Sequence, residues 1–315
     1  MSEKPKVALD LRLPDFLEAL FMPHCELVAW PDDGVLDDDI AALLTYAHPP
    51  VDAAMLARLP HCKVVSNYGV GVDHIVVADC VAAGIPVGNT PGAVNGATAD
   101  LSMALLLAAA RNIVIGDKFA RGAQFTHVDP GILLGRDVFG ATLGIVGMGA
   151  VGREVAKRAL AFDMQVLYHN RRRNEEAEAD LGVVYAALDA LLQSADFVTL
   201  NVPLNDSTKH MISARELSLM RSTAYLVNTA RGGVVDTQAL FEVLRDGGIA
   251  GAALDVTEPE PLPRDHPLLA LDNLTLLPHL GTSTYDTRAR MGQMALANLL
   301  AGLAGQPLEY EVTAN

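Results

Sequence analysis

Cysteine is scarce in this chain of 315 residues: Cys25, Cys62 and Cys80 are an odd number, and no pair has CxxC spacing. A disulfide framework is therefore excluded, and the expectation is three reduced, buried thiols in a cytosolic protein. Long apolar runs are also missing. The longest, 101–110, is interrupted at Ser102 and falls well short of the roughly 20 residues that a membrane helix requires. The first ten residues, MSEKPKVALD, run straight into a strand pattern with no apolar leader, so no signal peptide is expected. Positive charge is in deficit, 23 Lys and Arg against 38 Asp and Glu, a net −15. That balance argues against nucleic-acid and anionic-membrane partners, and an anionic substrate would need a local cationic site. No low-complexity or Pro/Ser-rich segment appears. The chain is thus globular throughout and long enough for two domains.

What is present centres on 141–173, ATLGIVGMGAVGREVAKRALAFDMQVLYHNRRR. Leu143, Ile145 and Val146 mark a buried strand, Gly147, Gly149 and Gly152 form GxGxxG, and 151–162 reads as a helix. Glycines at this place let the backbone turn tightly and approach a pyrophosphate, which then sits on the free amides of the helix N-terminus. Gly147, Met148, Gly149, Ala150 and Val151 are the candidate contacts. One more absence matters here. Where a site for NAD usually carries Asp or Glu at the end of the second strand, this chain has His169, Asn170, Arg171, Arg172 and Arg173. No carboxylate repels a 2′-phosphate, and guanidinium forks are available to bind one. Three Arg at the start of a helix would oppose its dipole without an anionic partner. Asn170, Arg171 and Arg172 are therefore assigned to the ribose 2′-phosphate, and NADPH is expected over NADH.

Alternating strand and helix patterns imply α/β architecture with parallel sheets. Strands are expected at 7–9, 27–30, 40–45 and 64–66, with helices near 14–21, 51–59 and 76–83. The glycines of 67–73, NYGVGVD, follow a strand and make a candidate nest for a small anion. Residues 98–119 read as one long helix, too apolar for a surface and so packed between layers or subunits, followed by an extended arm over 121–137. Further strands are expected at 183–184, 197–201, 224–228, 251–254 and 274–277, alternating with helices at 188–193, 214–220 and 237–245. A last helix, 284–303, is expected to return to the N-terminal unit and make that domain discontinuous: 1–97 with 282–315, around a dinucleotide-binding domain of 98–281.

Ligands of open α/β sheets bind beyond the carboxyl ends of the strands. Three expected strands end in polar clusters: Asn228-Thr229-Ala230-Arg231-Gly232, Asp255-Val256-Thr257-Glu258-Pro259-Glu260-Pro261, and Pro278-His279-Leu280-Gly281. A guanidinium, a carboxylate and an imidazole at neighbouring strand ends suit hydride transfer to a 2-oxo acid. Arg231 can hold the substrate carboxylate and carbonyl oxygen with forked donors. His279 can protonate that oxygen, and Glu260 beside it would favour the charged imidazole. Among the other histidines, only His48 falls in a loop expected near a cleft.

The motifs NYGVGVDHI, GIVGMGAVG, FVTLNVPLNDSTKHMI, LVNTARGGVVD, AALDVTEPEPLP and LPHLGTSTYDTR, in this order and over nearly the whole chain, resemble the D-2-hydroxyacid dehydrogenase family. The resemblance implies two doubly wound parallel-sheet domains: a Rossmann cofactor domain inserted into a flavodoxin-like substrate domain. It also implies a homodimer held largely by the inserted domain. Catalytic roles carry over to Arg231, Glu260 and His279, and substrate-carboxylate binding to the amides of Val70 and Gly71. The nicotinamide side carries over to Asp255, Thr229, Ala230, His279 and Gly281, and the adenosine and pyrophosphate groove to Pro203 and Thr208. Within the family, the 170–172 cluster and HPLLALDNLTLLPHLG look most like glyoxylate/hydroxypyruvate reductases, with 2-ketogluconate reductases close behind. Phosphite oxidation and dinucleotide sensing are the more distant alternatives. No regulatory domain is expected after Asn315, and no metal is implied.

Overall fold

The computed structural model describes residues 4–10, 12–31, 35–46 and 50–313, so His48 lies outside the described residues. The chain divides into two compact units, Met1–Val94 with Ser283–Asn315, and Asn95–Thr282. Both are parallel α/β sheets. In the first unit, β1 (Lys6–Leu9), β2 (Glu26–Ala29), β3 (Ile40–Thr45), β4 (Val65–Asn67) and β5 (Val87–Gly88) order as β2-β1-β3-β4-β5. Helices α1 (Asp15–Phe21), α2 (Ala53–Leu56) and α3 (Val77–Ala82) connect them. β5, which pairs with β4 directly after Pro86, was not expected. The final helix, Tyr285–Leu303, buries Met291, Ala295 and Leu299 with Leu17, Phe21 and Val64 of this unit. All three cysteines are free and buried, and burial pushes the Cys62 and Cys80 thiols up to about 11.

The second unit begins with two helices rather than one. The single helix expected over 98–119 is two, α4 (Asn95–Ala110) and α5 (Ile113–Arg121), bent by 59°. The returning chain causes the break. Arg136 N donates to Ala110 O at 2.7 Å, taking the carbonyl that a continuing helix would use, and Gly135 lies so close that a Cβ would sit 2.2 Å from that oxygen. Asn112 adopts left-handed backbone, φ 52°, and its side chain donates to the carbonyls of Leu133 and Leu134. α4 is buried as expected, but α5 has no buried residue and exposes Ile113 and Val114. No single helix among the described residues is long and apolar enough to cross a membrane.

After α5 come β6 (Thr142–Val146), α6 (Ala150–Ala161), β7 (Gln165–His169), α7 (Glu175–Leu181), β8 (Val184–Tyr185), α8 (Leu188–Ser194) and β9 (Phe197–Leu200). Then follow α9 (Ala214–Leu219), β10 (Tyr225–Asn228), α10 (Thr237–Arg245), β11 (Gly251–Leu254) and β12 (Leu274–Leu276). The strand order is β12-β11-β10-β9-β6-β7-β8, all parallel, with the direction of winding reversing between β6 and β9. Strand residues alternate between two cores. Leu143, Ile145, Phe197, Val227 and Ala253 pack against α4 and α6, whereas Val146, Val198, Leu200, Leu226 and Leu254 pack against α8, α9 and α10. Burial on both faces explains why these strands read as nearly continuous apolar runs. The register brings their carboxyl ends level: Val146 pairs with His169 and Leu200, and Asn228 with Leu200 and Leu254.

Candidate active site

At the β6 end, Gly147 has φ 103°, and a Cβ there would lie 2.6 Å from Asn201 O; Gly152 packs so tightly that its Cβ would meet Gly147 O at 2.1 Å. Gly149 differs. It caps α6 with φ −86°, which any residue adopts, and a Cβ on it would meet nothing within 4 Å. The protein therefore does not need glycine at 149 for its own packing. The open space faces a helix start with no side-chain cap, which suits an anion on the amides of Gly149, Ala150 and Val151. Asn201 Oδ1, next to this turn, is buried with no partner among the described residues.

Asn170 faces inward. Its Oδ1 accepts from Met148 N at 2.7 Å, while Asn174 Nδ2 donates to Met148 O at 2.9 Å, so two asparagines hold the glycine turn from either side. The Met148 amide is thus bonded to Asn170 Oδ1 in this structure. The arginines also sit differently from expectation, because they precede the helix rather than begin it. α7 is capped by Asn174, which accepts from Ala177 N, and its first turn carries Glu175, Glu176 and Glu178, which complement the dipole. Arg173 pairs with Glu178. Arg171 and Arg172 are exposed and have no partner among the described residues. Pro203 and Thr208 belong to one turn after β9, closed by a 2.6 Å hydrogen bond from Thr208 Oγ1 to Pro203 O.

The other end of the sheet carries side-chain chemistry. Asn228, at the end of β10, shapes the next turn: its Oδ1 accepts from Ala230 N and its Nδ2 donates to Arg231 O. Gly232 then lies against the neighbouring loop so closely that a Cβ would sit 1.9 Å from Thr257 O. After β12, His279 has left-handed backbone, φ 56°, and its amide donates to Asp255 O. Asp255 is buried, and its carboxylate accepts from Leu280 N at 2.6 Å and Gly281 N at 2.8 Å. This holds the turn that aims the imidazole, and His279 Nδ1 meets Glu260 Oε1 at 2.5 Å. Burial would raise the Glu260 carboxyl. The hydrogen bond and charge of His279, the Thr257 amide and the Arg231 charge outweigh that and hold it below the ordinary glutamate value. A cavity of about 490 Å³ opens beside the pair, floored by Leu262, Leu276 and Leu277.

The structure thus brings Arg231, Glu260, His279 and Asp255 to three adjacent strand ends within one unit. A matching family model, D-isomer specific 2-hydroxyacid dehydrogenase, NAD binding domain, covers residues 103–281. The chain belongs to the D-isomer specific 2-hydroxyacid dehydrogenases. It is similar to glyoxylate reductase from Korarchaeum cryptofilum, 43% identical with 96% of this chain and 94% of the relative covered. Thermococcus onnurineus glyoxylate reductase is 41% identical over the same shares. Among solved structures, NADPH-dependent glyoxylate/hydroxypyruvate reductase from Sinorhizobium meliloti, in complex with NADP and malonate, superposes with a TM-score of 0.89 at 28% identity, covering 99% of this chain and 97% of that one. In this D-2-hydroxyacid dehydrogenase, Val70 and Gly71 lie in the first unit, after β4. Asn67 Nδ2 donates to the carbonyls of Gly69 and Gly71, and Asn89 Nδ2 to that of Val70. With the carbonyls tied back, the Val70 and Gly71 amides have no acceptor among the described residues.

Two site residues escaped the sequence reading. Ser102 Oγ donates to Thr98 O at 2.8 Å and lies 2.7 Å from Thr229 Oγ1, so α4 anchors the segment that leads to Arg231. Thr98 Oγ1 reaches Gly281 O at 3.4 Å, beside the His279 turn. The available signal was two hydroxyls four residues apart in an otherwise apolar helix.

Proposed function

We propose that this protein reduces a small 2-oxo acid, glyoxylate or hydroxypyruvate, to the D-2-hydroxy acid with NADPH. The observation that carries this reading is the His279–Glu260 hydrogen bond on a strand end adjacent to that of Arg231. Bound NADPH supplies the hydride; proton transfer and orientation are the work of the chain. Arg231 binds the substrate carboxylate and carbonyl oxygen, and the Val70 and Gly71 amides bind the carboxylate. His279, fixed by its hydrogen bond to Glu260, gives a proton to the carbonyl oxygen, an effect worth about 10²–10⁴ in rate. Gly149, Ala150 and Val151 hold the pyrophosphate, with Pro203 and Thr208 lining the groove. Thr229, Ala230, Asp255 and Gly281 frame the nicotinamide side. Arg171 and Arg172 bind the 2′-phosphate. The S. meliloti relative, which is NADPH-dependent, supports that cofactor.

The test is consumption of NADPH and of NADH against glyoxylate, hydroxypyruvate, pyruvate and 2-ketogluconate. Glyoxylate and hydroxypyruvate should be the fastest substrates, with NADPH the better donor. Faster turnover with NADH overturns the cofactor assignment, and silence on all four acids overturns the reaction. We also read the protein as a cytoplasmic homodimer. Three free, buried thiols suit a reducing compartment, and exposed Ile113, Phe125, Val128, Leu134 and Phe139 along α5 and the following arm suit a self-interface. Light scattering should give twice the chain mass, and Leu134→Asp should halve it.

A further inference from the structure

His279 is not the only histidine bound to the Thr257–Pro261 loop. His210, in the loop between β9 and α9, shares the left-handed backbone of His279, with φ 49°. Its Nε2 meets Glu258 Oε2 at 2.6 Å, two residues from the glutamate that binds His279. A histidine in this region of backbone is held there by its surroundings against a local cost. Here the surroundings are the loops that carry the site. His210 N donates to Gly233 O at 2.8 Å, on the turn that follows Arg231. That turn abuts the Thr257–Glu258 backbone at Gly232, and a Cβ on Gly233 would stand 3.2 Å from Glu258 Oε1. Thr237 Oγ1 donates to Glu258 O, and Thr257 N donates to Glu260 Oε2. His210 and Glu258 therefore clamp the Arg231 turn and the Glu260 loop together from outside, without touching His279.

We infer that His210 and Glu258 are a positioning pair for the reaction proposed above: they set where Glu260 stands relative to His279 and Arg231. The hydrogen bond ties the loops after β9 and β11, and the His210 amide on Gly233 O adds the loop after β10. When the hydrogen bond is removed, the Glu260 loop gains freedom and the imidazole loses its fixed partner. The effect falls on turnover more than on cofactor affinity.

The experiment uses the full chain with His210→Asn, His210→Gln and Glu258→Gln. Asparagine tolerates left-handed backbone but cannot reach Glu258; glutamine reaches it and donates from an amide. His210→Asn should lower kcat for glyoxylate about tenfold, less than the ~10²-fold that a 1 Å misplacement can cost. NADPH affinity, titrated without substrate, should stay within about twofold, as expected when an interaction made in the transition state is lost. His210→Gln should recover most of the loss. Independently of any substrate, the far-downfield proton resonance of the His279–Glu260 bond, assigned by its absence in His279→Ala, should shift or broaden in His210→Asn. Unchanged kcat with an unmoved resonance overturns the inference, as does a rate loss at fixed NADPH that disappears when NADPH is saturating. If His210→Asn does not fold, Glu258→Gln must move the resonance, and an unmoved one overturns the inference. A wild-type protein inactive on glyoxylate defeats the reaction assigned above, and the resonance then decides the positioning role alone.

Discussion

The two ends of the seven-stranded sheet are built from different materials. Around β6 and β7 the useful groups are backbone amides, and the side chains matter by being absent: Gly147 and Gly152 have no room for a Cβ, and Gly149 has room that the protein leaves unused. Around β10, β11 and β12 the useful groups are side chains, each held by another. Asn228 shapes the Arg231 turn, Asp255 holds the His279 turn, and Glu260 binds the imidazole. A site made of amides is written into a short run of sequence. A site made of side chains from three strands needs the sheet to bring them together. The first end should govern cofactor binding and the second turnover, and variants at each should separate cleanly.

The largest expected effect is at the turnover end. His279→Ala should lower kcat by about 10²–10⁴, the usual worth of a positioned acid, with NADPH affinity retained. A fully active variant would remove the proposed acid. At the binding end, Arg171→Ala should lower kcat/KM for NADPH by about ten- to a hundredfold, since a hydrogen bond to a charged group contributes roughly 1.5–3 kcal/mol. The value for NADH should hardly move, and equal losses with both donors would mean that the guanidinium does not read the 2′-phosphate. Smaller still is Gly149→Ala. Its backbone accepts alanine, so the melting temperature should hold or rise slightly, while KM for NADPH rises about tenfold as the methyl meets the pyrophosphate. An unaltered KM would show that the space beside Gly149 is not used.

The smallest effect concerns pH. The Glu260 carboxyl is held below its ordinary value, so the stability its pairing contributes is fully present above the unfolded value of about 4.3 and is lost as pH falls through the lower, folded value. The gap between thermal melts of the wild type and Glu260→Gln should persist at pH 5 and close only as pH falls below about 4.3. Convergence at pH 6 would mean that the carboxylate is not held ionised by its neighbours.

Legibility followed the range of the interactions. The strands of the second unit were readable because burial on both faces makes apolar runs, and GxGxxG was readable because its parts are adjacent. The break between α4 and α5 was not, since it depends on Arg136 taking the Ala110 carbonyl from 26 positions away along the chain. The arginine cluster was placed one turn late, because Asn174 and three glutamates, not the arginines, begin α7. Nor was the hydrogen bond that Asn170 Oδ1 accepts from Met148 N, 22 positions back along the chain, readable. Ser102 looked like an interruption of an apolar run, and Thr98 like a plain helix start, until the fold set them beside Thr229 and Gly281.

Residue order alone was enough for the parallel α/β class, for the glycine turn between β6 and α6 and for the three strand ends worth watching. Each of these rests on contacts between near neighbours or on a repeating pattern of burial, which local sequence encodes. Folding added what no local pattern carries: His279 on Glu260 across 19 residues, and His210 on Glu258 across 48. Those distances along the chain collapse to a hydrogen bond only because β9 to β12 lie side by side in register. One short loop can then receive a histidine from either side.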